Sequence, residues 1–404
     1  MRKLIRWVCL GLAVLSCQPP LFELPPRSGR TYDSGRAVPQ HPAENPDGPA
    51  EQGIHLYASA VCYPDSVDWR NGEPADGQLI LLQDQRELLR MPLSRQTEPD
   101  RHRIVKGQLW TDRCENGQMV VSCNGQERFR FAGEEIFNGF WVNGEHVYTL
   151  GQRPGGGICF RVNGQERFSS GSGNVLNGPD DADWETGAFS VDTGGIYYAY
   201  SLPVRVQDQV SWEYRVMKED QNVMTIPANP DCQVYDIRVR DGIVYRLEKR
   251  GGTLCLLKGE TCLILTLLVG EVLHNCKLVP VGDRMLLKGY SYRPVFTYWY
   301  REPDCLVCSV LGKPAVRELV MDGDRYAYVQ ENRMGNVQGV YLDQKPVYVS
   351  AGRHTLTSTR CMQFRKGTLG VALTADTGNR HMLIHNTDTV AVRFNGYFTS
   401  VLID

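Results

Sequence analysis

The sequence has no long amphipathic stretch rich in Ala, Leu, Glu and Lys. Bundles and stacks of helices are thereby excluded, because both need an apolar stripe recurring every 3.6 residues. Basic charge is not in surplus either: 44 Lys and Arg face 46 Asp and Glu, for a formal net charge of −2. Proteins that neutralise phosphates carry a clear positive excess, so nucleic acid is not an expected partner. No apolar run is long enough to cross a bilayer as a helix. Even LILTLLVGEV at 263–272 is short, contains Gly270 and Glu271, and reads as a buried strand. Local catalytic signatures are missing too: there is no Gly-x-Ser-x-Gly elbow, phosphate loop, dinucleotide fingerprint or His-Glu-x-x-His motif. The run of glycines at 155–157 belongs to a hairpin loop.

What the chain does have is glycine and tyrosine, 40 and 19 of them, in 404 residues that are 42% hydrophobic. That composition reads as mostly β. The length supplies a large core but exceeds one ordinary compact domain, so the fold must be modular.

The N-terminus reads MRKLIRWVCLGLAVLSC. Arg2, Lys3 and Arg6 precede an apolar run from Trp7 to Leu15, the pattern of an export signal over 1–16. The run ends in Val14-Leu15-Ser16-Cys17, which resembles a bacterial lipobox with Cys17 as the lipidated residue. Cleavage there would remove three basic residues and no acidic one. Residues 17–52 read as a tether. Pro19, Pro20, Pro25, Pro26, Pro39, Pro42, Pro46 and Pro49 stiffen it, and it has too little apolar surface to offset its ordering entropy. The folded body is expected over 53–404.

Within that body NGQERF is spelled at 124–129 and again at 163–168. Asn-Gly between two β-like runs is a strong hairpin signal, since both residues accept positive φ. Comparable turns are expected at Asp84-Gln85, Asp220-Gln221, Lys258-Gly259, Pro303-Asp304, Asp343-Gln344 and Asn386-Thr387. Most are spaced by about 40 residues, the length of a four-stranded repeat. The strands before them alternate. GICFRVNG puts Ile158, Phe160 and Val162 on one face, and WEYRVM does the same with Trp212, Tyr214 and Val216. A second hairpin lies upstream in each unit, as in WVNGEHVYTLG (141–151) and VRDGIVYRLEK (239–249). Strand, turn, strand, loop, strand, turn, strand, repeated, is the pattern of a β-propeller blade.

The chain ends point to closure. FNGYF at 394–398 matches FNGFW at 137–141, the start of an innermost strand, yet no blade follows it. GIHLYASAVCYP at 53–64 matches a second strand with no first strand before it. The expected fold is therefore an all-β propeller of four-stranded antiparallel blades, closed by the C-terminal strand joining the first blade. The count is eight, or seven if one weak unit is an embellishment. These hairpins, the WVNG and YLDQ turns and the lipobox make the chain similar to the β-propeller lipoproteins of gut-type Gram-negative bacteria. That resemblance implies an outer-membrane or cell-surface protein serving as a binding or scaffold component. It implies no particular chemistry.

Candidate chemistry is sparse. Thirteen cysteines include Cys9, Cys17 and an odd remainder, and disulfides are permitted after export without a pairing being readable. Cys305 and Cys308 have CxxC spacing, but on a strand they point to opposite faces. His381 and His385 share a strand face about 13 Å apart, too far for one metal. The insertion GSGNVLNGPDDADWETG at 171–187 carries Asp180, Asp181, Asp183 and Glu185 around Trp184. Such carboxylates could hold calcium, and the Trp could stack on a sugar. The plainer reading is a solvated acidic loop; no cofactor is otherwise expected. The aromatics at 196–200 and 296–300 read mainly as packing between blades. The leading expectation is a non-enzymatic, lipid-anchored propeller that engages a protein or glycan on one face. The alternatives are a glycan hydrolase or lyase with carboxylates gathered at the channel, and a subunit of an envelope complex without a small ligand.

Overall fold

The computed structural model describes residues 54–71, 77–93, 102–176, 186–206, 208–251, 253–265, 273–281, 284–291, 315–332, 334–350 and 353–404. Among them the secondary structure is β-strand, apart from two three-residue 3-10 turns. The strands assemble into eight antiparallel sheets in chain order. Blade one spans 56–92, blade two 102–132, blade three 136–170, blade four 174–226, blade five 232–265, blade six 273–291, blade seven 315–349 and blade eight 354–393. Blade six is described by its first two strands.

Blade one takes its first strand from the far end of the chain. Gly396–Ile403 pairs antiparallel with Leu56–Cys62, from Leu56 opposite Ile403 to Cys62 opposite Gly396. The expected closure is thus the observed one, though the string match behind it is out of register. Counting from each blade's first hairpin, Phe398 occupies the place of Phe137, so Phe394 lies four residues too early.

Each seam between neighbouring blades is apolar. Leu79, Leu81 and Val61 meet Ile104 and Leu109 across the first seam. Phe160 and Leu150 meet Tyr198, Tyr200 and Phe189 across the third. Val279 meets Val316 and Tyr328 between blades six and seven. One further cluster runs from Val329 and Val340 through Phe364 and Val371 to Ala58, Val401 and Ile403, joining blades seven, eight and one. The chain of packing returns to its start, so the eight sheets form a ring. First strands touch first strands from blade one to three, from four to six and from seven through eight to one, and form the innermost layer. The buried tyrosines at 197, 198 and 200 serve these seams, as their alternation predicted.

The repeated hexapeptide has a structural reason. In the outer hairpin of blade three, the Asn163 amide donates to Val147 O at 2.8 Å, and its side-chain Oδ1 accepts from Val147 N at 2.7 Å. Asn124 grips Leu109 in the same two-point way, and so do Asp84 on Leu56, Asp343 on Tyr326 and Asn386 on Leu369. The outer turn thereby fastens to the start of the second strand. Asn and Asp suit the position because they tolerate left-handed φ and carry a short acceptor. Gly164, at φ +76°, is pressed against Phe129 of the preceding blade, where a Cβ would lie 2.8 Å from that ring. Two expected turns move by one residue. They are Glu219-Asp220 and Gly259-Glu260, because Glu219 and Gly259 are the residues at positive φ. Both keep the backbone half of the grip, to Ile196 O and Val244 O, and lack the side-chain half. The turn expected at Pro303-Asp304 lies outside the described residues.

Candidate interaction surface

Antiparallel order puts alternate connections on opposite faces of the ring. One face carries only tight turns in its described connections, at positions such as 106–107, 124–125, 144–145, 193–194 and 241–242. Neighbouring turns are tied together there. Gly242 N donates to Asp192 Oδ2 at 3.1 Å, and Gly367 N to Asp322 Oδ2 at 2.5 Å. The body begins on this face: His55 N donates to Asp404 O at 3.3 Å, and Asp404 N to His55 O at 3.1 Å. Among the described residues the other face receives the longer connections, including 63–71, 153–157, 227–231, 332–336 and 376–379. Several of these are fixed to one another. Arg70 Nη2 in the first donates to Ala375 O at 3.1 Å and Gly378 O at 2.6 Å, and its guanidinium covers the Trp69 ring at 4.3 Å.

The innermost strands are interrupted at one level. The first-strand ladder slips between Phe137 and Gly139, Val234 and Asp236, His274 and Lys277, and Val316 and Glu318. On the closing strand the extra residue is Thr399. Bulges of this kind bend a strand and re-aim a side chain. In blade four the interruption is an insertion. Val175 pairs with Tyr200, Ser190 pairs with Tyr197, and the acidic segment enters between them. Its exit is pinned to both neighbours: Ala188 N donates to Asn138 O at 2.7 Å, and the buried Arg238 donates to Gly187 O and Phe189 O. The insertion therefore springs from the wall of the ring, not from its rim.

Asp180, Asp181, Asp183, Trp184 and Glu185 themselves lie outside the described residues, as do Cys17, Cys305, Cys308 and the aromatics at 296–300. Residues 266–272 of the apolar run do too; its start ends the fourth strand of blade five, Thr261–Leu265. His381 is fully buried. Its Nδ1 accepts from Ala375 N at 3.0 Å, and its Nε2 lies 2.8 Å from Phe394 O. It works as a satisfied core side chain, and burial pushes its pKa down to about 4. Among the described residues no three His, Cys, Asp or Glu side chains are grouped to hold a metal.

The polar groups that sequence reading missed sit in the seams. Ser59 Oγ lies 2.9 Å from His102 Nε2, 2.7 Å from Thr399 Oγ1 and 2.6 Å from Ser400 Oγ. The Ser–His distance is that of a nucleophile and its base. Yet Ser59 is 0% exposed, and its oxygen is occupied by the closing strand. Its role is to fasten blades one and two to that strand. Asp236 accepts from Leu278 N at 2.7 Å, joining blades five and six. Gln363 accepts from Ile403 N at 2.6 Å, joining eight and one. Glu135 pairs with Arg161 at 2.6 Å, while Arg161 stacks over Phe131 of the preceding blade at 4.1 Å. The sequence carries no signal for these contacts, because residue type alone does not say which polar side chain of a strand faces a seam.

No family model matches the chain, and no curated protein does. Solved structures that it is similar to include one titled as a eukaryotic initiation factor, at 10% identity and TM-score 0.45, covering 87% of this chain and 98% of that one. Another is dipeptidyl peptidase 4 of Porphyromonas gingivalis, at 8% identity and TM-score 0.44, covering 79% of this chain and 58% of that one. A third is BBS1N in complex with ARL6DN, at 11% identity and TM-score 0.39, covering 71% and 86%. The chain matches little more than half of the peptidase and takes neither residue roles nor activity from these likenesses.

Proposed function

We propose that this protein is a lipid-anchored envelope or cell-surface component that binds a protein or glycan through the long-connection face of its propeller. The observation that carries the reading is the inequality of the two faces. Described turns on one are tight and tied together, and the body's first described residues lie there; the longer described connections are on the other. Loops on a rigid scaffold are where binding is usually placed. The buried carboxylates Asp112, Glu135, Asp236, Glu248 and Glu318 are spread round the ring, and Glu135, Asp236 and Glu248 are taken up by Arg161, Leu278 N and Arg246. That favours binding over glycan hydrolysis.

The test is site-specific photo-crosslinking in cells that make the protein. Crosslinkers at Asp65, Asp208 and Thr377 on one face are compared with crosslinkers at Gln85, Gly144 and Glu219 on the other. Adducts confined to the first set are expected; adducts confined to the second would reverse the assignment. Separately from that face, we assign ligand contact, with or without calcium, to the acidic insertion and Trp184. Glycan-array binding that survives Trp184→Ala unchanged removes that assignment. Radiolabelled fatty acid should enter the wild type and not Cys17→Ala; a wild type without label ends the anchor.

A further inference from the structure

The second and third strands of blade four, Gly195–Val206 and Gln209–Lys218, are longer than any other described strand. Their pairing runs from Tyr197 opposite Lys218 to Val206 opposite Gln209. The neighbours stop earlier: the first strand reaches Ser201, and the fourth ends with Ile226 opposite Tyr214. Five pairs, Leu202–Glu213 to Val206–Gln209, thus overhang the sheet on the long-connection face. At strand rise that is about 17 Å of two-stranded ribbon. A ribbon of two strands is marginal by itself in water.

The overhang explains the one alternating strand whose burial departs from its pattern. Trp212, Tyr214 and Val216 share a face, as the alternation predicts. Tyr214 and Val216 are buried against Val234 and Ile237 of blade five, while Trp212 is 39% exposed and Val210 is 66% exposed. The last two lie beyond the end of the neighbouring blade's cover.

The ribbon's two edges differ. Ala199 O is taken by Leu176 N on the first-strand side. By alternation the backbone groups of Ser201, Pro203 and Arg205 point to that same side. Pro203 has no N–H there, and proline on an edge blocks strand addition. Across the ladder, Trp212 faces Pro203 and Val210 faces Arg205. The N–H and C=O groups of Val210 and Trp212 therefore point to the opposite edge. No described strand pairs with that edge beyond Tyr214, because the fourth strand has ended and the chain leaves through Pro227. The open row lies in line with the fourth strand, where one more strand segment would complete the sheet.

We infer that this edge, residues 209–213, receives an extended segment of a partner protein as an added strand. Main-chain hydrogen bonding would give the affinity, and alternate side chains the selectivity. The visiting residues beside Val210 and Trp212 should be apolar. On the other face Ser211 is buried and Glu213 is half-buried beside Arg215, so selection there rests on the visiting residue next to Glu213, which should be hydroxylated or basic. The inference rests on the binding reading above and names its partner as an extended polypeptide.

The experiment uses the full chain and a fluorescent peptide of alternating Val with Lys or Thr, followed by anisotropy. Wild type should bind it, and the same peptide with alternate amides N-methylated should not bind. Val210→Pro removes an amide from the open edge and should weaken binding at least tenfold, and Trp212→Ala should weaken it severalfold. Arg205→Pro perturbs the opposite residue of the same pair on the blocked edge and should leave binding within twofold. Equal loss in Val210→Pro and Arg205→Pro overturns the edge assignment. So does a glycan-array signal lost in Trp212→Ala without any peptide binding. A wild-type dimer that Val210→Pro makes monomeric assigns the strand to a second copy and overturns the partner. Failure of the peptide while crosslinks persist on the long-connection face sinks this inference alone; crosslinks confined to the turn face sink the binding reading itself.

Discussion

At the scale of single residues, two side chains show how local chemistry holds the ring. Asn163 satisfies Val147 N with its side chain while its own backbone takes a left-handed φ of 50°. Asn163→Ala loses that hydrogen bond and places a Cβ-bearing residue with no polar compensation at positive φ. A cost of about 1–2 kcal/mol is expected. Asn163→Asp keeps the acceptor and should cost less than half as much, as read by denaturant midpoints of the two variants. His381 is the second case. Its Nδ1 faces a backbone N–H, so a proton added there meets a donor. With a folded pKa near 4, below the ordinary value of 6.5, the fold holds the neutral form. The unfolded chain takes the proton first as pH falls. The contribution is therefore complete above about pH 6.5 and is lost progressively down to about pH 4, by on the order of 3 kcal/mol at most. The difference in stability between wild type and His381→Leu should shrink over that window. A pH-independent difference would show that the imidazole is not held neutral.

At the scale of elements, strands and most outer turns were legible because they obey period two and because Asn, Asp and Gly mark positive φ. Five of the eight expected outer turns fall where the sequence places them, Asn124-Gly125 and Asp343-Gln344 among them. Glu219 escaped because a long side chain gives no turn signal even when the backbone uses it. The C-terminal strand was found from the right idea with the wrong register: a repeated FNG string is matched by composition, whereas the ladder is set by which residues face the core. The candidate site was hardly legible. The bulges at Asn138, Tyr235 and Arg317 shift facing by one residue without altering residue type. The Trp212 overhang shows only when the lengths of neighbouring strands are compared. That comparison carries a stability expectation. If the overhang is an accessory and not part of the core, deleting 203–212 and joining the strands by a two-residue turn should move the melting temperature by no more than a few degrees, as seen for surface changes. A collapse of the fold would make the ribbon part of the ring's own core.

For the whole molecule, the issue is what keeps a ring of eight separate sheets from opening. Six seams are apolar faces between blades that are each continuous in sequence. Blade one is different, because its first strand arrives from the far end of the chain and is laced on three sides. Ser59 and His102 meet Thr399, Gln363 accepts from Ile403 N, and Thr374 accepts from Phe398 N at 3.0 Å. Opening the ring at this point requires stripping a whole strand ladder, not merely parting two faces. A circular permutant isolates that effect. His55 and Asp404 are already hydrogen-bonded, so a short linker can join them, with new ends placed between Gly133 and Glu134. Every blade is then continuous, all seams are kept, and only the interlock is lost. Equilibrium stability should change little, since the same surface is buried. The unfolding rate in denaturant should rise by tenfold or more, because the first opening step now costs face packing alone. Equal unfolding rates for the permutant and the natural order would mean that the barrier lies in the blades themselves and that the returning strand sets only the topology.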